Sequence, residues 1–226
     1  SNGLSRFSEN SFETYSINDG LKSNDLYSLE ISQDGSLWIG SEAGVSILKE
    51  GHFKGYSLPV VEPDSVNFVR SGTIVHDILE DSKGNMWFGT NGGAFNFNGS
   101  SLSQINEEAG LSGNAVKSIL EDVQGNIWFS THDGGTCMWN GTEFSNIETE
   151  LDPYGSHATS SLFQDSQGTV WVPADHISMF RYENGKVDKM FQPQGGISDA
   201  RRTTYEYSEG GLWFGGWRGV YRLDPI

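Results

Sequence analysis

Cysteine occurs once, as Cys137, so no internal disulfide can form and the redox compartment stays open. Alanine occurs only seven times in 226 residues, which removes the best helix former from most of the chain. Cations are scarce as well. Lys and Arg total 14 against 30 Asp and Glu, a formal net charge of −16. That balance argues against nucleic acid and anionic membrane as partners, because neutralising phosphate needs a basic surface. No apolar run approaches the roughly 20 residues of a membrane-spanning helix. No signal peptide is recognisable, and the Ser1-Asn2 start without Met reads as a processed or trimmed end. What abounds is glycine, 29 residues, with seven Trp, 13 Phe and eight Tyr. Such a mixture favours strands and turns over helices.

The chain repeats itself. Five tetrapeptides align on Trp38, Trp87, Trp128, Trp171 and Trp213, at spacings of 49, 41, 43 and 42 residues. A glycine stands three residues before each Trp: Gly35, Gly84, Gly125, Gly168 and Gly210. Six residues after it stand Gly44, Gly93, Gly134 and Gly219, with Ile177 the exception. Each unit reads as four short strands, a to d. Strand a precedes the first glycine and carries adjacent apolar residues such as Ile78-Leu79 and Ile119-Leu120, as expected of an inner strand buried on both faces. Strand b carries the Trp, and strand c follows the second glycine. The a–b turns (Asp81-Ser82-Lys83-Gly84, for example) and the c–d turns (Asn98-Gly99, Asn140-Gly141, Asn184-Gly185) have hairpin chemistry.

Four antiparallel strands at this period describe a β-propeller blade. One blade cannot bury both faces, so the blades stack and the five Trp become inter-blade core. The fold expected is therefore all-β, a single five-bladed propeller over 1–226. Its blade units fall near 19–57, 70–105, 111–147, 155–191 and 198–226. The fifth unit ends without a strand d, and Phe12–Ser16 supplies one, so the N-terminal strand is expected to close the last blade. Gly3–Phe7 resembles a surplus strand c, either a displaced tail or the mark of a chain cut from a longer array.

Gly20-Leu21-Lys22-Ser23-Asn24 through Gly40-Ser41, and Gly110-Leu111-Ser112-Gly113-Asn114 through Trp128, resemble the two-component regulator propeller repeat. The pattern is Gly-Leu-Ser-x-Asn, a strand ending Glu-Asp, then Gly-Asn-x-Trp-Ile-Gly-Thr. The resemblance implies a sensory role: a periplasmic or extracellular ligand-binding propeller, often tuned to carbohydrate, that signals to a partner protein. This chain departs from that pattern in having no membrane span, no kinase and few blades.

The a–b and c–d turns repeat and so serve the scaffold. The b–c and d–a loops vary and open on one rim, where recognition residues are expected. The b–c loops offer Glu42, Asn91, His132, Asp133, Asp175, His176, Trp217 and Arg218. Trp217 would stack on a ligand, and Arg218 would donate two hydrogen bonds to a carboxylate or sulfate. The d–a loops add Arg70, in the longest connection, and the pair Arg201-Arg202. Three of the seven arginines thus sit on the fifth unit's rim, which suits an anionic ligand such as an acidic sugar. His76, His132, His157 and His176 also map to this side, but they come from three units with no tight pair, so no metal and no cofactor is expected.

The function read from these features is a non-enzymatic, sensor-like binding module for a carbohydrate or other small polar ligand. A glycoside hydrolase or lyase is the alternative, with Asp25, Asp77 and Asp199 as its carboxylates. The Asp-x-x-Gly turns resemble the Asp box of sialidases, but no arginine triad accompanies them. The His and Mg²⁺ set of streptogramin lyases is not recognisable either. A protein-binding scaffold is the third reading.

Overall fold

A computed structural model describes residues 2–59, 74–132, 134–147, 161–173, 179–190, 203–207, 210–216 and 219–224. The chain divides into two compact units, Ser1–Ile105 and Asn106–Ile226. The first holds β1 (Leu4–Ser8), β2 (Ser11–Tyr15), β3 (Leu26–Ile31), β4 (Leu37–Ser41), β5 (Gly44–Lys49), β6 (His52–Tyr56), β7 (Val75–Glu80), β8 (Met86–Thr90), β9 (Gly93–Phe97) and β10 (Leu102–Ile105). β1 and β2 form a hairpin, and β3–β6 and β7–β10 form two four-stranded antiparallel sheets. The second holds β11 (Val116–Glu121), β12 (Ile127–Thr131), β13 (Gly135–Trp139), β14 (Phe144–Asn146), β15 (Phe163–Gln164), β16 (Val170–Pro173), β17 (Met179–Glu183), β18 (Lys186–Met190), β19 (Thr203–Glu206), β20 (Leu212–Gly216) and β21 (Gly219–Leu223). These make two more four-stranded sheets, β11–β14 and β15–β18, and a three-stranded one, β19–β21. Among the described residues, strands pair only with their sequence neighbours, which is the meander that the repeat pattern requires.

The N-terminal segment differs from expectation. β2 pairs with β1 from Leu4↔Tyr15 to Ser8↔Ser11, and the sheet of β19–β21 has three strands. Phe12–Ser16 was expected as the fourth strand there. The residues that read as a surplus strand c are its partner instead. The turn between them uses Glu9 and Asn10, both at positive φ, as a two-residue hairpin turn demands. Leu4 then packs with Leu21 and Ile39.

The motif residues have identifiable physical jobs. Residues Ile17–Asp19 and Glu107–Ala109 form single 3-10 turns capped by Ser16 and Asn106. Asn24 Oδ1 accepts the first free amide of one, from Ile17, and Asn114 Oδ1 accepts that of the other, from Glu107. Each turn ends on a left-handed glycine, Gly20 (φ 112°) and Gly110 (φ 107°). A Cβ there would meet Phe53 at 2.8 Å and Phe144 at 2.9 Å, so only glycine fits. Leu21 and Leu111 follow, buried. This is what the Gly-Leu-Ser-x-Asn pattern builds.

The Asp of the a–b turn does more than turn chemistry. Asp81, Asp122 and Asp165 accept the indole N–H of Trp87, Trp128 and Trp171, at 2.9, 2.8 and 2.7 Å. Each also accepts backbone amides of its own turn. Burial pushes the Asp81 carboxyl up, but bonds from Asn85, Trp87 and the Lys83 amide outweigh it and hold Asp81 below its ordinary value. Trp87, Trp128 and Trp171 are core, as expected. Trp38 is half-buried, and Trp213 is 38% exposed beneath the Arg222 guanidinium.

A second device staples neighbouring sheets. Seven residues before the Trp, Glu80, Gln164 and Glu206 each reach the preceding sheet's a–b turn. They accept the amides of Gln33 (2.6 Å), Val123 (3.0 Å) and Ser166 (2.7 Å). The first repeat has Ile31 at that position, 73% exposed, and Leu29 beside it is 54% exposed. Strand a of the first repeat is therefore apolar on a face that no described residue covers, whereas Ile78 and Ile119 are buried.

Candidate functional site

Within each unit, the b–c loops and strand-a entrances are built by three repeated features. Ser41, Thr90 and Thr131 end strand b, and their hydroxyls donate to the carbonyls of Gly44, Gly93 and Gly135. The same hydroxyls accept the amides of Ala43, Gly92 and Gly134, which closes each b–c loop into a fixed turn. The loop is then tied to strand a: the Glu42 amide donates to Asp25 O and the His132 amide to Ala115 O. Finally, strand a carries a register shift in each of the first three repeats, between Leu26 and Ser28, Val75 and Asp77, and Val116 and Ser118. The residues so bulged are Tyr27, His76 and Lys117. A bulge re-aims one side chain without disturbing the ladder beyond it.

In the first unit these features bring three side chains together. His76 Nε2 lies 2.7 Å from Asn91 Oδ1; with the amide oxygen as acceptor, Nε2 carries the proton. Asn91 is buried at 8% exposure. The Tyr27 ring packs edge-on against His76, centroids 5.6 Å apart, and is itself 49% exposed. The arrangement is a fixed imidazole beside an accessible phenol ring, a surface suited to stacking and hydrogen bonding.

Of the residues expected at the site, Asn91 sits behind His76 and orients it. Glu42 and His132 are exposed on the rim. Asp25 is exposed at a strand entrance. Asp77 Oδ1 accepts the amide of Ile78, so part of that carboxylate is engaged by its own strand. Arg70, Asp133, Asp175, His176, Asp199, Arg201, Arg202, Trp217 and Arg218 lie outside the described residues, as does His157. Among the described residues, no group of three or more His, Cys, Asp or Glu is placed to hold a metal ion. Tyr27 was missed from sequence. Its signal was the column eleven residues before each Trp, which reads Tyr27, His76, Lys117, Ser160 and Arg202, and so varies while its neighbours repeat.

The two-component regulator propeller model matches residues 70–92 and 110–133. These two segments are similar to that repeat. No curated protein matches the chain by sequence. Among solved structures, it is similar to the extracellular domain of the hybrid two-component system BT3049 of B. thetaiotaomicron. The TM-score is 0.75 at 19% identity, over 99% of this chain and 31% of that one. It is similar to virginiamycin B lyase from Staphylococcus aureus, at TM-score 0.66 and 19% identity, over 91% of this chain and 72% of that one. It is also similar to PorZ, a surface component of the type-IX secretion system of Porphyromonas gingivalis. There the TM-score is 0.71 at 14% identity, over 99% of this chain and 36% of that one. The chain spans about a third of the length of the BT3049 domain. At these identities the likeness establishes the propeller-type fold, and the repeat match agrees with it.

Proposed function

We propose that this chain is a non-enzymatic, sensor-type recognition module that binds a ligand on the b–c rim and passes the binding event to a signalling partner. In this reading its repeat units are the five blades of one propeller and it works outside the cytoplasm, as the BT3049 extracellular domain does. The observation that carries the reading is the rim of the first unit. Bulged Tyr27 and His76 stand on rigid strands, with Asn91 locking the imidazole. Rigid strands presenting variable side chains are how a repeat scaffold makes a binding surface.

A carbohydrate or other small polar ligand fits an exposed phenol ring beside an imidazole. Arg201, Arg202 and Arg218 in the fifth repeat favour one with a negative charge. A thermal-shift screen of the chain against neutral and acidic oligosaccharides tests this. A ligand at one hundred times its Kd stabilises the fold by about 2.7 kcal/mol, well above detection. The shift with an acidic oligosaccharide should be lost in Tyr27→Ala and weakened in Arg218→Ala. Product release from the same sugars would replace binding by hydrolysis or elimination. Absence of any shift would turn attention to a protein partner.

A further inference from the structure

The second unit contains a cavity of about 320 Å³ among the a–b and c–d turns of its two four-stranded sheets. It is made by turns, not by the b–c loops and strand-a entrances that form the rim. Its walls are Val123, Gln124 and Asn126 from one turn, Gln167 from the next, and Tyr182 with Asn184 from the β17–β18 hairpin. Its volume falls at the lower end of the range for small-molecule sites.

We propose that this cavity binds a neutral, hydroxyl-rich ligand of the size of a mono- or disaccharide. Hydrogen-bonding capacity is the first argument. Among the described residues, the side-chain amides of Gln124 and Asn184, the Tyr182 hydroxyl and the Glu183 carboxylate, which also lines the cavity, make no hydrogen bond within the chain. Amides and a phenol offer both donors and acceptors, as sugar hydroxyls require. Rigidity is the second. The Tyr182 ring is wedged edge-on against fully buried Trp128, centroids 4.8 Å apart, and Val123 beside it is 72% exposed. Together they give one firm apolar wall for a sugar face.

Charge is the third argument. Among the described residues no Lys or Arg lines the cavity, and Glu183 adds a negative charge to a chain already at −16, so acidic ligands are disfavoured. The corresponding turn positions of the first unit differ. Where the cavity has Gln124 and Gln167, that unit has Asp34, already ion-paired to Lys49, and Lys83. The glutamine side chains at these turn positions are particular to the second unit. A peptide is disfavoured on topology: β16 and β17, the strands that line the cavity, are each paired on both edges, so neither offers an edge for main-chain addition.

The test is an NMR titration of the ¹⁵N-labelled chain with glucose, galactose, N-acetylglucosamine and their disaccharides, with glucuronate and triglycine as counter-probes. The expected result is a saturable shift of the Gln124 and Asn184 side-chain amides with at least one neutral sugar. Binding should be at least tenfold weaker in the double variant Gln124→Ala, Asn184→Gly. Asn184 already holds φ 51°, so glycine keeps the turn, and an unchanged unfolding midpoint checks that. Glucuronate should bind at least tenfold more weakly. The proposal is overturned if no neutral sugar shifts these amides, if the double variant binds unchanged, or if triglycine shifts them and sugars do not. It stands apart from the rim, since Tyr27→Ala leaves this titration as it was.

Discussion

The first and third repeats share strand order, antiparallel pairing and the bulge on strand a. Their a–b turns share the glycine, Gly35 and Gly125, and differ at the residue that opens the turn. In the third, Asp122 holds the buried Trp128 indole; in the first, Ser32 stands in that place and the buried Trp38 Nε1 has no partner. The Ser32 hydroxyl donates instead to Asp34 and to Ser36 O, keeping the turn and losing the bond to the core. Turn formation and core satisfaction are thus separable roles, which one Asp performs together where it is present.

The sharpest way to break the comparison is Asp122→Ala. It leaves Trp128 Nε1 buried without an acceptor and frees three turn groups, Gln124 N, Asn126 N and Asn126 Nδ2. A loss of about 3 kcal/mol in urea unfolding is expected. Gly110→Ala comes next, at about 2 kcal/mol, from a left-handed φ and a Cβ 2.9 Å from Phe144. The reverse experiment is Ser32→Asp, which supplies the missing acceptor to Trp38. A gain of about 1 kcal/mol is expected by the same measurement, with no gain from Ser32→Asn if the charge matters.

The smallest effect is in pH. Asp81 is depressed below its ordinary value, so its folded form is favoured while ionised. Its contribution is complete above pH ~4 and is lost as pH falls through its depressed native value. The stability gap between the parent chain and Asp81→Asn should hold steady from pH 7 to 5 and narrow below 4.

Much of this was legible in the chain. Gly at fixed offsets from each Trp fixed the turns, and Asn-Gly pairs marked the hairpins where β9, β13 and β17 end. The Asp–Trp bond was not read, because a six-residue separation across a turn says nothing until side-chain directions are known. Strand a was read as buried on both faces, yet Leu29 on the first repeat's strand a is exposed: an apolar pattern shows that a face can be buried, not what covers it. The N-terminal strand was recognised, but its pairing with β1 was not, because Gly3–Phe7 matched strand c and was set aside as surplus. Tyr27 escaped notice since its bulge follows from register, which no pattern of period two reveals. Nine of the fourteen expected site residues fall outside the described residues.

The central claim is that the b–c loops and strand-a entrances of the first unit form a recognition surface, separate from the turn cavity of the second unit. Hydrogen–deuterium exchange, with and without the best oligosaccharide from the thermal screen, tests it directly. The account predicts slowed exchange at residues 25–28, 41–44, 75–77 and 90–93, abolished by Tyr27→Ala. Unchanged exchange there, with protection confined to other segments of a chain that demonstrably binds the sugar, would contradict it.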